Sequence, residues 1–130
     1  TSSDADNIIC VNESVTFTGS GAADYEFFVN GVSQGTASPV NTFTTIALIN
    51  NQNVSVTGTS NGCSANSNSI TTTVNPMPNT LLFSNDPDNK ICLGDNITFT
   101  ALNSTQYEFF VNGVSQGAAS ATNTLSTTLL

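Results

Sequence analysis

The sequence predicts an all-β protein made of tandem antiparallel β-sandwich repeats, of which the second is incomplete. The stretch YEFFVNGVSQG occupies residues 25–35 and returns unchanged at residues 107–117 of the 130-residue chain. Such self-similarity means that one folding unit occurs twice. About seven short alternating segments fill the first unit, with turn signals about every 8–12 residues, and none has a helical period. This pattern is typical of a sandwich of short strands.

The repeated stretch predicts a β-hairpin. Tyr25, Phe27 and Val29 recur with the period of two that is typical of a strand, and they form its inner face because Glu26 lies on the other. Asn30-Gly31 follows, and this dipeptide favours the positive φ angles that a type I′ turn requires.

The other strands of the first unit follow from the same alternation. They are predicted at residues 8–10, 15–18, 42–48, 54–56 and 70–74. The residues expected to face inward are Val15, Phe17, Tyr25, Phe27, Val29, Val54 and Val56, with Phe43, Ile46 and Leu48 as further core candidates.

The repeat spacing predicts two units, residues 1–76 and 77–130. Between them, Pro76 and Pro78 stiffen the segment toward polyproline II, so we expect a semi-rigid joint. The second unit matches the first only up to Leu48, and we expect it to belong to a longer protein. A half-sandwich exposes its inner face and unpaired strand edges. The residues expected to be poorly covered, unless another chain packs on them, are Ile97, Phe99, Tyr107 and Phe109.

Charge is sparse and acidic. One Lys, no Arg or His, and nine carboxylates give a net charge of −8. Such a surface repels nucleic acid and anionic lipid, so neither is an expected partner. The sequence lacks an apolar run of about 18 residues, so no transmembrane helix is predicted. The abundance of Ser, Thr and Asn favours an extracellular β-protein.

The three cysteines predict one disulfide bond. Cys10 precedes a core strand and Cys63 lies in a predicted turn of the same unit, so these two are expected to pair. Closing the loop between residues 10 and 63 stabilises a small domain by about 4 kcal/mol on the chain-entropy model. Cys92 corresponds to Cys10, and the counterpart of Cys63 would fall beyond Leu130, which leaves Cys92 unpaired. A metal site is the alternative, but the chain has no His and no CxxC pair.

Catalytic constellations are scarce. Without His and with a single Lys, most acid–base and nucleophilic schemes fail. A carboxylate pair cleaves glycosides in many hydrolases, but Glu26 and Glu108 lie one per unit on strand surfaces. We therefore expect no enzyme activity, no catalytic residue and no bound cofactor.

Two acidic loops offer a candidate calcium site. Asp4 and Asp6 open the first unit, and Asp86 and Asp88 open the second, near the joint. Carboxylate oxygens are the ligands that Ca²⁺ prefers. The loops lack the glycine and the distant glutamate of an EF-hand, and Asp is an ordinary turn residue, so we favour solvated turns.

The order of these motifs resembles a known family. A Cys before Val-Thr-Phe-Thr, then Tyr-Glu-Phe-Phe-Val-Asn-Gly and Asn-Gly-Cys-Ser, resembles the immunoglobulin-like or PKD-like repeats of very large surface adhesins in gliding Bacteroidetes, the SprB type. The resemblance covers nearly the whole chain, although Phe27 stands where many such domains have a core Trp. It implies type IX secretion, a bacterial cell-surface location and a long fibre, with neighbouring repeats and other filament copies as partners.

The sequence leaves three functions open. The first is a structural stalk repeat, since stacked repeats give an array length and stiffness. The second is a binding module for carbohydrate or another surface polymer, for which Tyr25, Tyr107, Phe28 and Phe110 are the aromatic candidates. The third is an accessory domain of a secreted hydrolase.

Overall fold

The computed structural model describes residues 1–128, and it divides the chain into two compact units, Thr1–Met77 and Pro78–Leu130. This boundary lies one residue from the predicted one. The described residues form strands and turns without any helix, as predicted. Among them, no helix long and apolar enough to cross a bilayer is therefore found.

The first unit contains eight strands arranged in two sheets. One sheet has the order β1-β8-β6-β3-β4, with β7 also paired to β6, and the other consists of β2 and β5. The strands are β1 Ile8–Cys10, β2 Val15–Thr18, β3 Asp24–Val29, β4 Val32–Ser33, β5 Thr42–Thr45, β6 Gln52–Ser60, β7 Cys63–Asn66 and β8 Ile70–Asn75.

The core of the first unit lies between these sheets and confirms most of the predicted inner face. The buried residues are Ile9, Val15, Phe17, Tyr25, Phe27, Leu48 and Val54, and Val29, Phe43 and Val56 pack against them. Ile46 was expected in this core, and that prediction is wrong, since its side chain is 57% exposed. The reason is that β5 ends at Thr45, one residue earlier.

Asn-Gly turns shape the hairpins. Asn30 and Gly31 have φ angles of 49° and 77°, as the predicted type I′ turn requires. Asn61 and Gly62 also have positive φ angles, of 52° and 78°. This second turn joins β6 to β7, whose first residue, Cys63, is predicted from the sequence to lie in a turn.

The chain enters and leaves the first unit at different levels along the long strand β6. The amino group of Thr1 donates to the Thr18 carbonyl (2.8 Å), and Thr1 shares a groove with Val54 and Val56 in the middle of β6. The exit lies before the start of β6, where the Val74 N–H donates to Asn50 Oδ1.

The described part of the second unit, residues 78–128, has five strands. A sheet of order β13-β10-β9 lies beside the two-stranded hairpin β11–β12, and counterparts of β6, β7 and β8 are absent from these residues. The strands are β9 Leu81–Ser84, β10 Ile97–Leu102, β11 Phe110–Val111, β12 Val114–Ser115 and β13 Thr124–Thr127.

In the second unit, the burial of one side chain differs from the prediction. Ile97 is buried, so its predicted exposure is wrong, because β9 and β13 flank its strand on both sides. Phe99, Tyr107 and Phe109 are half-buried, whereas their counterparts in the first unit are buried.

Candidate functional site

The repeated carboxylates serve the hairpins. Ser33 Oγ donates a hydrogen bond to Glu26 Oε1 at 2.6 Å, and Ser115 Oγ donates to Glu108 Oε1 at 2.7 Å. Each bond ties β3, or the segment that matches it, to the returning strand of its own hairpin. The structure thus gives each glutamate a role within its own unit.

The tyrosines are anchored inside their own units. The Tyr25 hydroxyl accepts from the Ala22 N–H and donates to the Ala22 carbonyl, at 3.0 and 2.8 Å. Tyr107 makes the same pair of bonds with Ser104. Tyr25 is buried, so its ring is not an open stacking platform, whereas the half-buried Tyr107 lines grooves of the second unit. Among the aromatic candidates, Phe28 is half-buried and Phe110 is the most open, at 58% exposed.

A shallow groove recurs beside each hairpin. In the first unit it measures about 170 Å³ and is lined by Tyr25, Phe27, Gln34, Ser38 and Phe43 among others. The matching groove of the second unit measures about 260 Å³ and uses the equivalent positions. Its walls mix aromatic edges with amide and hydroxyl groups, which suits a small polar ligand better than an apolar one.

The carboxylates of the acidic loops accept hydrogen bonds from their own backbone. Asp4 and Asp6 both accept from the Ile8 N–H, at 3.1 and 3.0 Å. Asp86 accepts from the Asp88 N–H, and Asp88 from the Lys90 N–H. Within residues 1–128, three or more such ligands do not gather anywhere. Calcium binding stays a prediction, to be checked by melting with and without EDTA.

The Asp86 carboxyl has a perturbed pKa. A hydrogen bond shared by the carboxyl groups of Asp86 and Asp88 lowers the pKa of Asp86 below its usual 3.8, helped by the backbone N–H groups of Asp88, Asn89 and Lys90. Partial desolvation opposes this effect. The loop is therefore stabilised by the ionised form of Asp86.

The predicted Cys10–Cys63 disulfide is wrong in this structure, in which all three cysteines, Cys92 included, are free and exposed. Cys10 lies opposite Asn75 at the end of the unit where β6 begins, and Cys63 lies opposite Ser60 where β6 finishes. The eight steps from Gln52 to Ser60 correspond to roughly 26 Å. A disulfide needs Cα atoms within about 7 Å of each other. Sharing a unit was therefore not enough to place the two thiols together.

Comparison with known proteins identifies the fold. No family model and no curated protein matches the chain. Among solved structures, the chain is similar to the fibronectin(III)-like modules of Clostridium thermocellum CbhA. The two are 14% identical with a TM-score of 0.54, over 95% of this chain and 74% of that one. The likeness confirms the all-β, immunoglobulin-like sandwich fold, and at this identity it shows the fold alone.

Proposed function

We propose that the chain is a stalk repeat of a large extracellular surface protein, an adhesin or filament that holds adhesive regions away from a bacterial cell. Three features support the proposal: the unit is repeated, a short proline-containing segment joins the copies, and the strands β1 and β8 of the first unit run parallel. The resemblance to gliding adhesins extends it to type IX export, gliding motility and partners that are neighbouring repeats or other filament copies. This role requires no catalysis.

The pairing of the terminal strands carries the proposal. β1 runs parallel to β8, with Ile8 opposite Thr73 and Cys10 opposite Asn75. Tension on the chain pulls β1 toward its own N-terminal side and β8 toward its C-terminal side. In a parallel pair these directions are opposite, so the bonds between the strands are loaded together in shear instead of opening one by one. A domain that transmits force benefits from this arrangement.

Single-molecule force spectroscopy tests the stalk role. The Val11 N–H donates to the Asn75 carbonyl at 2.9 Å, the last bond of the β1–β8 pair. We expect Val11→Pro to lower the unfolding force of the first unit, because proline removes that donor. Leu93→Pro is the matched control, since Leu93 stands at the equivalent position and is 97% exposed. Equal forces for the wild type and Val11→Pro would count against a role in transmitting force.

The recurring groove favours a second candidate, a module that binds carbohydrate or serves as accessory domain to a secreted hydrolase. Each groove is lined from equivalent positions, so each could bind the same kind of polymer unit weakly and on its own. A glycan array at high protein concentration tests this idea. Loss of a detected glycan in Gln34→Ala and Gln116→Ala variants would support it, and an array without hits would oppose it.

A further inference from the structure

The sequence Tyr25–Val29 of β3 occurs twice in this chain, but the two copies differ in strand pairing and in solvent exposure. In the first unit, all six residues of β3 pair with β6, from Asp24 opposite Thr59 to Val29 opposite Val54. The matching residues 107–111 carry the same side chains. Within residues 1–128 they pair only with their own hairpin and, through Tyr107, with Ser120.

The unpaired edge can be assigned atom by atom. The Tyr107 N–H and carbonyl both bond Ser120, and the Phe109 carbonyl accepts from the Gln116 N–H. Backbone groups of successive residues in a strand point to alternate sides. The N–H and carbonyl groups of Glu108 and Phe110 therefore point to the opposite edge, as those of Glu26 and Phe28 do toward β6.

Side-chain exposure marks the same edge. Phe27, whose strand pairs with β6, is 8% exposed, whereas its counterpart Phe109 is half-buried. Phe28 is half-buried and its equal Phe110 is exposed. An apolar groove of about 430 Å³ runs along this edge, lined by Leu81, Leu82, Ala101, Tyr107, Phe109 and Phe110 among others.

We infer that the edge at residues 107–111 is an acceptor for an added antiparallel β-strand with the residue pattern of Gln52–Ser60. In the first unit Val56 lies opposite Phe27 and Val54 opposite Val29, so an occupant needs valines that face Phe109 and Val111. Gly58 lies opposite Tyr25, and a Cβ there would meet the Ala22 Cβ at 2.8 Å, so a glycine is needed opposite Tyr107. β6 carries no charge, which suits an edge that presents Glu108.

A synthetic peptide of residues 51–61, NQNVSVTGTSN, provides the probe, added to the 130-residue chain and followed by NMR. We expect saturable amide shifts at Glu108, Phe110 and Asn112, and slower hydrogen exchange there. Residues 26–30 provide the internal control, because their edge is already occupied by β6. A peptide with Val54→Asp and Val56→Asp should bind at least about tenfold more weakly, since it loses the buried Val54 and the half-buried Val56.

A backbone variant separates strand addition from nonspecific binding. Phe110→Pro removes a donor that points to the open edge and leaves the hydrogen bond between Gln116 and Phe109 available. It should abolish peptide binding while Tyr107–Ser120 contacts persist. Absence of peptide shifts in the wild type would overturn the inference. Edge shifts that depend on protein concentration without peptide, with a dimer in sedimentation, would assign the edge to a second copy and also overturn it.

Discussion

At the scale of single residues, the two repeats offer matched pairs in different surroundings. Phe27 packs between its sheets, with its ring centroid 5.8 Å from that of Phe43, whereas Phe109 is half-buried. We expect Phe27→Ala to destabilise the first unit by about 3–5 kcal/mol, as a core cavity does. Phe109→Ala should destabilise the second unit by clearly less. Urea unfolding of both variants checks this, and a loss below about 1 kcal/mol for Phe27→Ala would reverse the facing of β3.

Close packing at Gly19 gives a second residue-scale prediction. A Cβ built on Gly19 would lie 2.8 Å from Cδ1 of Tyr25, whose hydroxyl is held by Ala22. Gly19→Ala should therefore destabilise the first unit by about 1–3 kcal/mol through overpacking. The cost should shrink in a Tyr25→Phe background, where the ring is free to shift, and a double-mutant cycle measures the difference. Additive effects would show that the ring does not restrict residue 19.

At the scale of elements, the acidic loop predicts a pH dependence. The pKa of Asp86 is lower in the folded chain than its usual 3.8, so ionised Asp86 stabilises the fold above about pH 4. That contribution is lost as the pH falls through the lowered pKa. Asp86→Asn should remove this part of the acid sensitivity of the second unit, measured by melting between about pH 5 and 2. An NMR titration placing Asp86 at or above 3.8 would contradict the prediction.

The length of β6 predicts the behaviour of the thiols. Since this strand holds Cys10 and Cys63 at opposite ends of the unit, both should stay reduced, along with Cys92. We expect three maleimide adducts on the native chain by mass spectrometry, because all three thiols are exposed. Serine variants of each cysteine in turn should each lose one adduct. If two of the thiols react with maleimide only after reduction, the predicted Cys10–Cys63 bond is correct.

Sequence patterns predicted individual strands and turns well. They predicted less well where a strand ends and which residues distant in sequence lie close together. The hairpin and the inner face of β3 follow from alternation and Asn-Gly, and both signals lie within a few residues. Ile46 was misplaced because nothing local marks the end of β5 at Thr45. Cys63 was misplaced because β6 runs on to Ser60 before turning, and pairing over that distance is set by the register of the whole sheet. Asp86 accepts a hydrogen bond from the backbone of its own loop. Amino-acid composition alone does not distinguish such a loop from one that binds calcium.

At the scale of the whole molecule, the two units should differ in stability. The first unit buries seven hydrophobic residues in one cluster, while the described part of the second buries Ile97 and Ala101. A few strands without a covering sheet are marginal in water. We expect two unfolding transitions, the second unit melting first and exchanging its amide hydrogens faster. A single cooperative transition for the whole chain would contradict this expectation.

The identity of the two hairpins also bears on how the chain folds from the denatured state. Because residues 25–35 and 107–117 are the same, β6 meets two edges of identical sequence while folding is in progress. Pairing with the distant copy closes a longer loop and leaves the first unit without its central strand. Neighbouring domains of high identity are prone to this kind of misassembly. Vectorial synthesis avoids the error, since the first unit can close before residue 107 is made, and refolding from urea does not.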